Sequence, residues 1–201
     1  MIVPLFPLHA TLFPGGHLAL KIFEARYMDM ASACLKDGSP FGVCLLAQGE
    51  EVARPGLPAA TPHAIGTLAR IDEWDMPQLG VLHITAAGTQ RFRIRRSWTD
   101  SAALLQGEVE LLTAEAAAPV PAQYAALVAL LRGIVEEAGA LALYPLPHAF
   151  DDASWVGMRL AEVLPIPALA KQKLLEVEDA LLRLEIVYRF LDGKGLLPDS
   201  A

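Results

Sequence analysis

An acid and a base lie two residues apart in the segment TLFPGGHLALKIFEARY, shortly after a Pro-Gly-Gly turn. A carboxylate such as Glu24 beside a guanidinium such as Arg26 could take part in acid–base chemistry, which requires a cleft and a substrate within reach. Because arginine stays charged and offers five hydrogen-bond donors, this spacing favours a structural ion pair or a clamp on a turn. We therefore predict a structural role for Glu24 and Arg26.

The patterns of common catalytic sites do not occur elsewhere in the sequence. There is no GxxxxGK[ST] phosphate-binding loop and no GxSxG nucleophile motif. The five histidines are scattered without HxxxH or HExxH spacing, and Cys34 and Cys44 fit no zinc or redox pattern. The sequence therefore predicts no catalytic residue, no metal and no cofactor, and it predicts two buried free thiols.

Three arginines alternate with apolar residues in QRFRIRRSW. On a strand, Arg91, Arg93 and Arg95 would share one face, and Phe92 and Ile94 would share the other. A basic face near an aromatic ring could contact RNA, whereas the plainer interpretation is a solvated outer face. The formal net charge of −7 argues against a general nucleic-acid binder, so RNA binding stays as the alternative function.

The composition is apolar for a chain that lacks a membrane span. Hydrophobic residues make up 54% of the sequence, charged residues make up 19%, and the mean hydropathy is +0.38. This composition excludes disorder of the whole chain. The N-terminal MIVPLFPLHA has no basic region typical of a signal peptide, and prolines interrupt the longest apolar stretch. We predict a soluble cytoplasmic protein with a thick core, an exposed apolar groove, or both.

Short apolar runs separated by turns predict a β-rich first half. One helix, EARYMDMASACLKDG, interrupts these runs and ends at Gly38. Strands of this length and spacing are typical of a barrel or a sandwich, and the fifth and sixth are predicted to join near Gly88. The predicted strands are IVPLFPL, HLALKIF, PFGVCLLA, AIGTLARIDEW, GVLHITAAG, QRFRIRRSW and LLQGEVELL.

The composition changes at TAEAAAPVPA, a linker of alanine and proline. Helical periodicity follows, with Asp151, Asp152 and Ser154 as candidate N-caps and Gly193 as a stop signal. The predicted helices are AQYAALVALLRGIVEEAG, SWVGMRLAEVL, ALAKQKLLEVED and ALLRLEIVYRFLDG. We therefore predict a β-rich part at residues 1–112, a helical part at 122–192 and a tail at 193–201.

The motifs, taken in order, resemble those of the Lon protease N-terminal domain, also called the Lon substrate-binding domain or the ATP-dependent protease La domain. The resemblance runs from residue 2 to about residue 192. The family often has proline where this sequence has Ala25. The segments that carry the resemblance are VPLFPLHATLFPGGHLALKIFEARYMDM, FGVCLL followed by Glu50-Glu51, IGTLARI, GTQRFRI and LAEVLPIPALAKQKLLEVEDALLRLEIV.

The resemblance implies an α+β fold, in which an N-terminal PUA-like β-barrel with one inserted helix is followed by a C-terminal helical bundle. It also implies a non-catalytic module that binds unfolded or hydrophobic polypeptide segments or docks on a protease. In full Lon proteases, the ATPase and the Ser–Lys protease lie in later domains, and this sequence ends before either would begin. The absence of a phosphate-binding loop motif from this sequence agrees with that order of domains.

A peptide-binding groove, if one forms, has four apolar candidates to line it: Leu12, Phe13, Phe23 and Tyr27. The alternative is that all four belong to the core. Glu24 and Arg26 would be the structural clamp at the same corner. The expected partners are unfolded or hydrophobic polypeptides and a protease, with no membrane contact and with nucleic acid disfavoured.

Overall fold

The computed structural model describes residues 1–51, 60–137 and 147–197. The chain divides into two units, Met1–Thr113 and Ala114–Ala201. Strands and one helix form the first unit, and helices form the second, each within the described residues.

Among the described residues of the first unit, six strands form a single sheet. The helix α1 (Ala25–Asp37) lies between the second and third strands in chain order. The strands are β1 (Ile2–Leu8), β2 (His17–Ile22), β3 (Phe41–Gln48), β4 (Thr61–Gln78), β5 (Val81–Thr99) and β6 (Leu105–Leu111).

Strand β5 pairs with neighbours on both sides and closes the sheet into a ring. One side pairs with β4, and the other pairs with β2 through residues 82–87 and with β6 through residues 92–99. Strand β6 pairs with β1, β1 pairs in parallel with β3, and β3 pairs with β4. The ring of β5, β4, β3, β1 and β6 is therefore a closed barrel, as predicted, and β2 extends the sheet beyond it.

Helix α1 packs its apolar side into a hydrophobic core cluster of the first unit. The helix ends at Gly38, which has a φ of 65° and a ψ of 17°, the left-handed conformation that the glycine stop signal predicted. Its buried side chains are Tyr27, Met30, Ala31 and Cys34. They share a cluster with core residues of the sheet such as Phe6, Phe41, Leu82 and Ile84.

The predicted break at Gly88 is wrong, because β5 runs without interruption from Val81 to Thr99. Gly88 instead lies against the Pro-Gly-Gly turn. Its amide donates to the Gly16 carbonyl at 2.8 Å, and its carbonyl accepts from the Gly15 amide at 2.8 Å. A Cβ atom at this position would lie 2.2 Å from the Phe13 carbonyl oxygen. Glycine is therefore required here because the backbones of β5 and of the turn lie so close together.

Helices α2 (Ala125–Glu137), α3 (Ala153–Val163), α4 (Ala168–Glu176) and α5 (Ala180–Asp192) form the second unit, after a short 3₁₀ turn at Ala122–Tyr124. They are compatible with the predicted helical bundle. Of the three candidate caps, Asp152 caps α3 by accepting from the amides of Ser154 and Trp155. The predicted end of α2 and the end of the predicted tail lie outside the described residues.

A buried ion pair holds the start of the second unit to its helices. The Arg183 guanidinium on α5 donates to both carboxylate oxygens of Glu115, with distances of 2.8 and 2.6 Å. The Ser154 hydroxyl on α3 donates to the same carboxylate at 2.6 Å. The Arg183 Nε also donates to the Leu174 carbonyl at 2.9 Å, so this charge is both paired and hydrogen-bonded.

Candidate functional site

The corner between β1 and β2 is a tight turn built around Pro14 and Gly15. The Gly16 amide donates to the Phe13 carbonyl at 3.0 Å, and Gly15 has a φ of 73°. Proline followed by a glycine at positive φ is the pattern of a type II turn. The backbone contacts with Gly88 then attach this turn to the middle of β5.

Three of the four apolar candidates for a groove are buried in the first unit. Leu12 is 3% exposed, Phe13 is fully buried and Tyr27 is 3% exposed. Their side chains therefore belong to the core of this unit. Phe23 differs, because 56% of it is exposed to solvent immediately before helix α1. Among the four, Phe23 is the side chain that a polypeptide could reach without opening the core.

Glu24 and Arg26 form an ion pair at the start of α1. The distance between the Arg26 Nη2 and the Glu24 Oε2 is 3.0 Å, and both side chains are less than one-fifth exposed. The Glu24 side chain does not cap the helix, but its backbone carbonyl accepts from the amides of Tyr27 and Met28. The carboxylate is therefore available to hold the guanidinium.

The Arg26 guanidinium also reaches two other segments of the chain. Its Nη1 donates to the Ala103 carbonyl at 3.0 Å, in the turn between β5 and β6. Its Nη2 donates to the Glu51 carbonyl at 3.3 Å, beyond the end of β3. This is the geometry of a clamp on turns rather than of an acid–base pair, since the guanidinium is occupied by backbone carbonyls.

Tyr27 stacks on Phe6 with ring centroids 4.0 Å apart, and the Arg26 guanidinium lies 4.5 Å from the Tyr27 ring centroid. Burial raises the pKa of the Tyr27 hydroxyl to about 12, and the nearby Arg26 charge opposes this rise. A phenol with so high a pKa stays protonated at neutral pH, so Tyr27 acts here as a packed aromatic ring.

The three arginines of QRFRIRRSW do not form one exposed basic face. Arg91 is only 4% exposed, while Arg95 forms an ion pair with Glu110 on β6. A bulge between Ile94 and Arg96 also interrupts the strand register with β6, so the simple alternation that the sequence predicts does not hold along this strand. The basic face expected to contact RNA is therefore incomplete, because Arg91 is buried and Arg95 is paired with an acid.

A depression of about 420 Å³ lies on the part of the sheet where β2, β5 and β4 run side by side. Trp74 lines it and is 59% exposed. The other lining residues are Ala19, Leu20, Lys21, Glu73, Asp75, His83, Ile84 and Thr85. This surface carries ionisable groups together with apolar ones.

Strand pairing places six of the lining residues in two rows on one face of the sheet, and the side chains of the other three, in the row between them, alternate to the opposite face. In one row, His83 on β5 lies between Lys21 on β2 and Asp75 on β4. In the other row, Thr85 lies between Ala19 and Glu73. Within residues 1–51, 60–137 and 147–197, the four ionisable side chains of these rows form no hydrogen bond or ion pair, and all four are exposed.

Sequence reasoning missed this depression, because its rows join strands that are distant in the chain. A signal was present in the run IDEWD, which places Trp74 between two acids at the end of a predicted strand. No group of three or more metal-ligating side chains occurs among the described residues, and none of the helices described there is long and apolar enough to span a membrane.

A family model described as the ATP-dependent protease La (LON) substrate-binding domain matches residues 2–193 of the sequence. The chain belongs to the Lon substrate-binding domain family. The match includes the barrel, helix α1 and the helices of the second unit, and it confirms the resemblance drawn from the ordered motifs.

Two solved structures share the fold of this Lon substrate-binding domain. The crystal structure of a Lon N-terminal domain protein from Xanthomonas campestris is 34% identical, has a TM-score of 0.76 and covers 94% of this chain and 98% of that chain. The N-terminal domain of Mycobacterium avium complex Lon protease is 16% identical, has a TM-score of 0.63 and covers 96% and 98%, respectively, so its likeness shows the fold alone. Among curated proteins, none matches the sequence.

Proposed function

We propose that this chain is a non-catalytic module that binds unfolded or hydrophobic polypeptide segments and acts as a recognition or adapter protein. Membership of the Lon substrate-binding domain family, over residues 2–193, carries the proposal. The substrates of a protease are polypeptides, so the family description indicates the class of ligand. Delivery of the bound segment to a protease in the cytoplasm completes the proposal.

Exposed apolar side chains in both units support this ligand class. On the β4–β5 hairpin, Trp74 is 59% exposed and Leu79 is 97% exposed. On α5, Leu182, Ile186 and Phe190 follow one another at intervals of four residues, and each is more than one-third exposed. Groups of this kind release ordered water when an apolar segment covers them.

Phe23 stays in the proposal as a peptide-contacting residue, because it is more than half exposed. Leu12, Phe13 and Tyr27 are buried in the first unit, so the proposal gives them no direct contact with a ligand. RNA binding through Arg91, Arg93 and Arg95 is the weaker proposal, because Arg91 is buried and the chain carries a net charge of −7.

The test compares an unfolded and a folded form of one polypeptide. Fluorescently labelled α-lactalbumin, reduced and carboxymethylated, should raise its anisotropy when the protein is added, whereas the native disulfide-bonded form should not. Binding should persist at raised salt, because apolar contacts are not screened. Equal binding of both forms, or binding of neither, contradicts the proposal.

A second measurement separates binding from catalysis and from RNA recognition. Incubation with casein, with and without ATP, should leave the casein intact, and cleavage would contradict the non-catalytic assignment. Single-stranded RNA should not be retained at low salt, where phosphate contacts are strongest. Retention at low salt that an Arg93→Glu/Arg95→Glu variant loses would favour the RNA alternative.

A further inference from the structure

We propose that the free edge of strand β2 (His17–Ile22) binds an extended segment of the polypeptide as an added strand of the sheet. The inference rests on the proposed function, because it assigns a place and a mode of binding to the same ligand. It adds recognition of the main chain to a recognition otherwise attributed to apolar side chains.

Strand β2 lies at one end of the sheet, and one of its edges is unpaired in the described parts of the chain. It pairs with β5 from His17–Ala87 to Ile22–Leu82, and no other described strand pairs with it. Outside this pairing, the main-chain groups of β2 form no hydrogen bond with the described residues. A row of free N–H and C=O groups on an edge strand is a template for pairing with another chain.

Every second residue of β2 directs its main-chain groups to this free edge. The Gly88 amide donates to the Gly16 carbonyl, and the register continues from there along β2 without a shift. Because hydrogen-bonded and non-hydrogen-bonded pairs alternate in an antiparallel ladder, the bonds to β5 fall on residues 18, 20 and 22. The residues whose N–H and C=O groups point away from β5 are therefore His17, Ala19 and Lys21.

The side chains of β2 suit a neighbouring strand. Leu18 and Leu20 are partly buried against the core cluster, so apolar side chains of an added strand would extend that cluster. Lys21 lies on the other face and is exposed, which favours an acidic side chain opposite to it. Phe23 follows β2 directly and is 56% exposed, so a bound segment would run towards this peptide-contacting candidate.

The second free edge of the sheet, on β4, is less suited to pairing. Beyond Ala69, where the pairing with β3 ends, β4 pairs only with β5 among the described residues. This part of β4 has register shifts, three acids and Pro77, which has no N–H to donate. Proteins protect edge strands with such features. Strand β2 has no proline and no register shift, and Lys21 is its one permanently charged side chain.

An unpaired edge selects unfolded polypeptides by their main chain. In a folded protein nearly all buried N–H and C=O groups are already paired, whereas an unfolded segment has these groups free. Strand addition derives its affinity from main-chain hydrogen bonds and its preferences from alternate side chains. This mode of binding therefore accepts many sequences, as the recognition of unfolded segments requires.

The variant Ala19→Pro tests the edge directly. Proline removes an N–H that points away from β5, so no hydrogen bond with β5 is lost, and proline is tolerated on edge strands. The ligand is a short capped peptide in which valine alternates with threonine around a central glutamate. It should bind Ala19→Pro at least about tenfold more weakly than the wild type, because a hydrogen bond is lost and the proline ring blocks the approach of the strand.

The matched control is Ala19→Thr, which changes the exposed side chain but keeps the N–H. It should bind the peptide as the wild type does. Thermal unfolding of both variants checks that the fold is kept. Weak binding by Ala19→Thr as well would assign the effect to the side chain at this position and would contradict strand addition.

A modified peptide keeps the test independent of the stability of any variant. The same peptide, N-methylated on all of its central amides, keeps its side chains and loses its main-chain donors. It should bind the wild-type protein at least about tenfold more weakly than the unmodified peptide. Apolar recognition alone would bind the two peptides equally, and that result would overturn the inference.

Amide hydrogen exchange, followed residue by residue by NMR, locates the bound strand. In the free protein, the amides of Ala19 and Lys21 should exchange quickly and those of Leu18 and Leu20 slowly. The unmodified peptide should slow the exchange of Ala19 and Lys21. Slower exchange at residues 71–78 instead would place the peptide on β4, and protection of Ala19 that rises with the concentration of the free protein would assign the edge to a second copy. Both results contradict the proposal.

The outcomes separate this inference from the proposed function. If unfolded α-lactalbumin binds the wild type and a folded Ala19→Pro variant equally, the edge of β2 is not the site and the binding function stands. If Ala19→Pro does not fold, the comparison of the two peptides and the exchange of Ala19 and Lys21 decide. Binding of no polypeptide overturns both proposals.

Discussion

Arg26 joins three segments of the first unit through one guanidinium. It pairs with Glu24 at the start of α1, and it donates to carbonyls of Ala103 and Glu51, in the turn before β6 and beyond the end of β3. Its Cζ atom also lies 4.5 Å from the Tyr27 ring centroid. Few side chains other than arginine could supply several directed donors and an aromatic contact from one position.

Replacement of Arg26 should therefore destabilise the protein without changing any chemistry. Arg26→Ala should lower the free energy of unfolding by about 2–3 kcal/mol, because charge-assisted hydrogen bonds and an ion pair are lost together. Urea denaturation followed by circular dichroism gives this value. Arg26→Lys keeps the charge but loses the fork of donors, so it should fall between alanine and wild type. A lysine variant as unstable as the alanine variant would show that charge contributes little.

Asp100 should make the stability of the first unit depend on pH. Its carboxylate accepts from the Gln106 side chain at 2.9 Å and from the amides of Leu104 and Ala102 at 3.0 and 2.9 Å. These hydrogen bonds, led by that from Gln106, lower the pKa of Asp100 below its ordinary 3.8. The stabilisation is complete above the pKa that Asp100 has in the unfolded chain. It is lost as the pH falls through the lower pKa that Asp100 has in the folded protein.

Asp100→Asn should consequently have a lower free energy of unfolding than the wild type at neutral pH. The difference between the two proteins should disappear as the pH falls and Asp100 of the wild type becomes protonated. Urea titrations at a series of pH values measure the effect. Asp29→Asn is the control, because Asp29 is exposed and has no hydrogen-bond or ion-pair partner among the described residues. A deficit in Asp100→Asn that stays constant down to the most acidic titration would argue for a loss of packing rather than of charge.

At the scale of elements, the barrel depends on one strand that pairs with three others. Strand β5 pairs with β4 along one edge and with β2 and β6 along the other. Backbone hydrogen bonds also join the turn at Gly15 and Gly16 to Gly88 in the middle of β5. Gly88 is the residue that permits this contact, since a side chain there would meet a backbone oxygen. The glycine signal was visible in the sequence, but its meaning depended on the position of the turn.

Gly88→Ala should destabilise the protein by at least about 2 kcal/mol, because its Cβ would lie 2.2 Å from the Phe13 carbonyl oxygen and the backbone must move. Thermal unfolding of the purified variant measures the loss. Gly133→Ala in α2 is the matched control, because a Cβ at that position would meet nothing within 4 Å. A helical alanine there should stabilise the protein by about 0.5–1 kcal/mol. Equal effects of the two variants would contradict this account of β5.

Elements whose ends are encoded locally could be predicted closely. Helix α1 ends at the predicted Gly38, and Asp152 caps α3 within the predicted set of acids. Strand β4 was predicted too short, because its exposed residues up to Gln78 have no apolar alternation and are held by pairing with β5. The two rows of the depression could not be predicted either, since they require the register of three strands at once.

At the scale of the whole molecule, the two thiols report on the integrity of the first unit. Cys34 is 6% exposed and Cys44 is 1% exposed, and neither forms a disulfide. Burial raises the pKa of both thiols, which disfavours the reactive thiolate. Both thiols should therefore remain unmodified by N-ethylmaleimide in native buffer and react quickly in urea. Mass spectrometry would measure the rates, and fast native labelling of Cys44 would contradict its burial.

The sequence by itself determined the family, the α+β class, the succession of strands and helices and the roles of local stop signals. These properties depend on residues close together in the chain, or on the order of motifs along it. The tertiary structure decided that Leu12, Phe13 and Tyr27 are buried while Phe23 is exposed. It also closed the barrel through β5 and brought Lys21, His83 and Asp75 into one row. Burial and strand register arise from pairing between distant segments, so local patterns do not contain them.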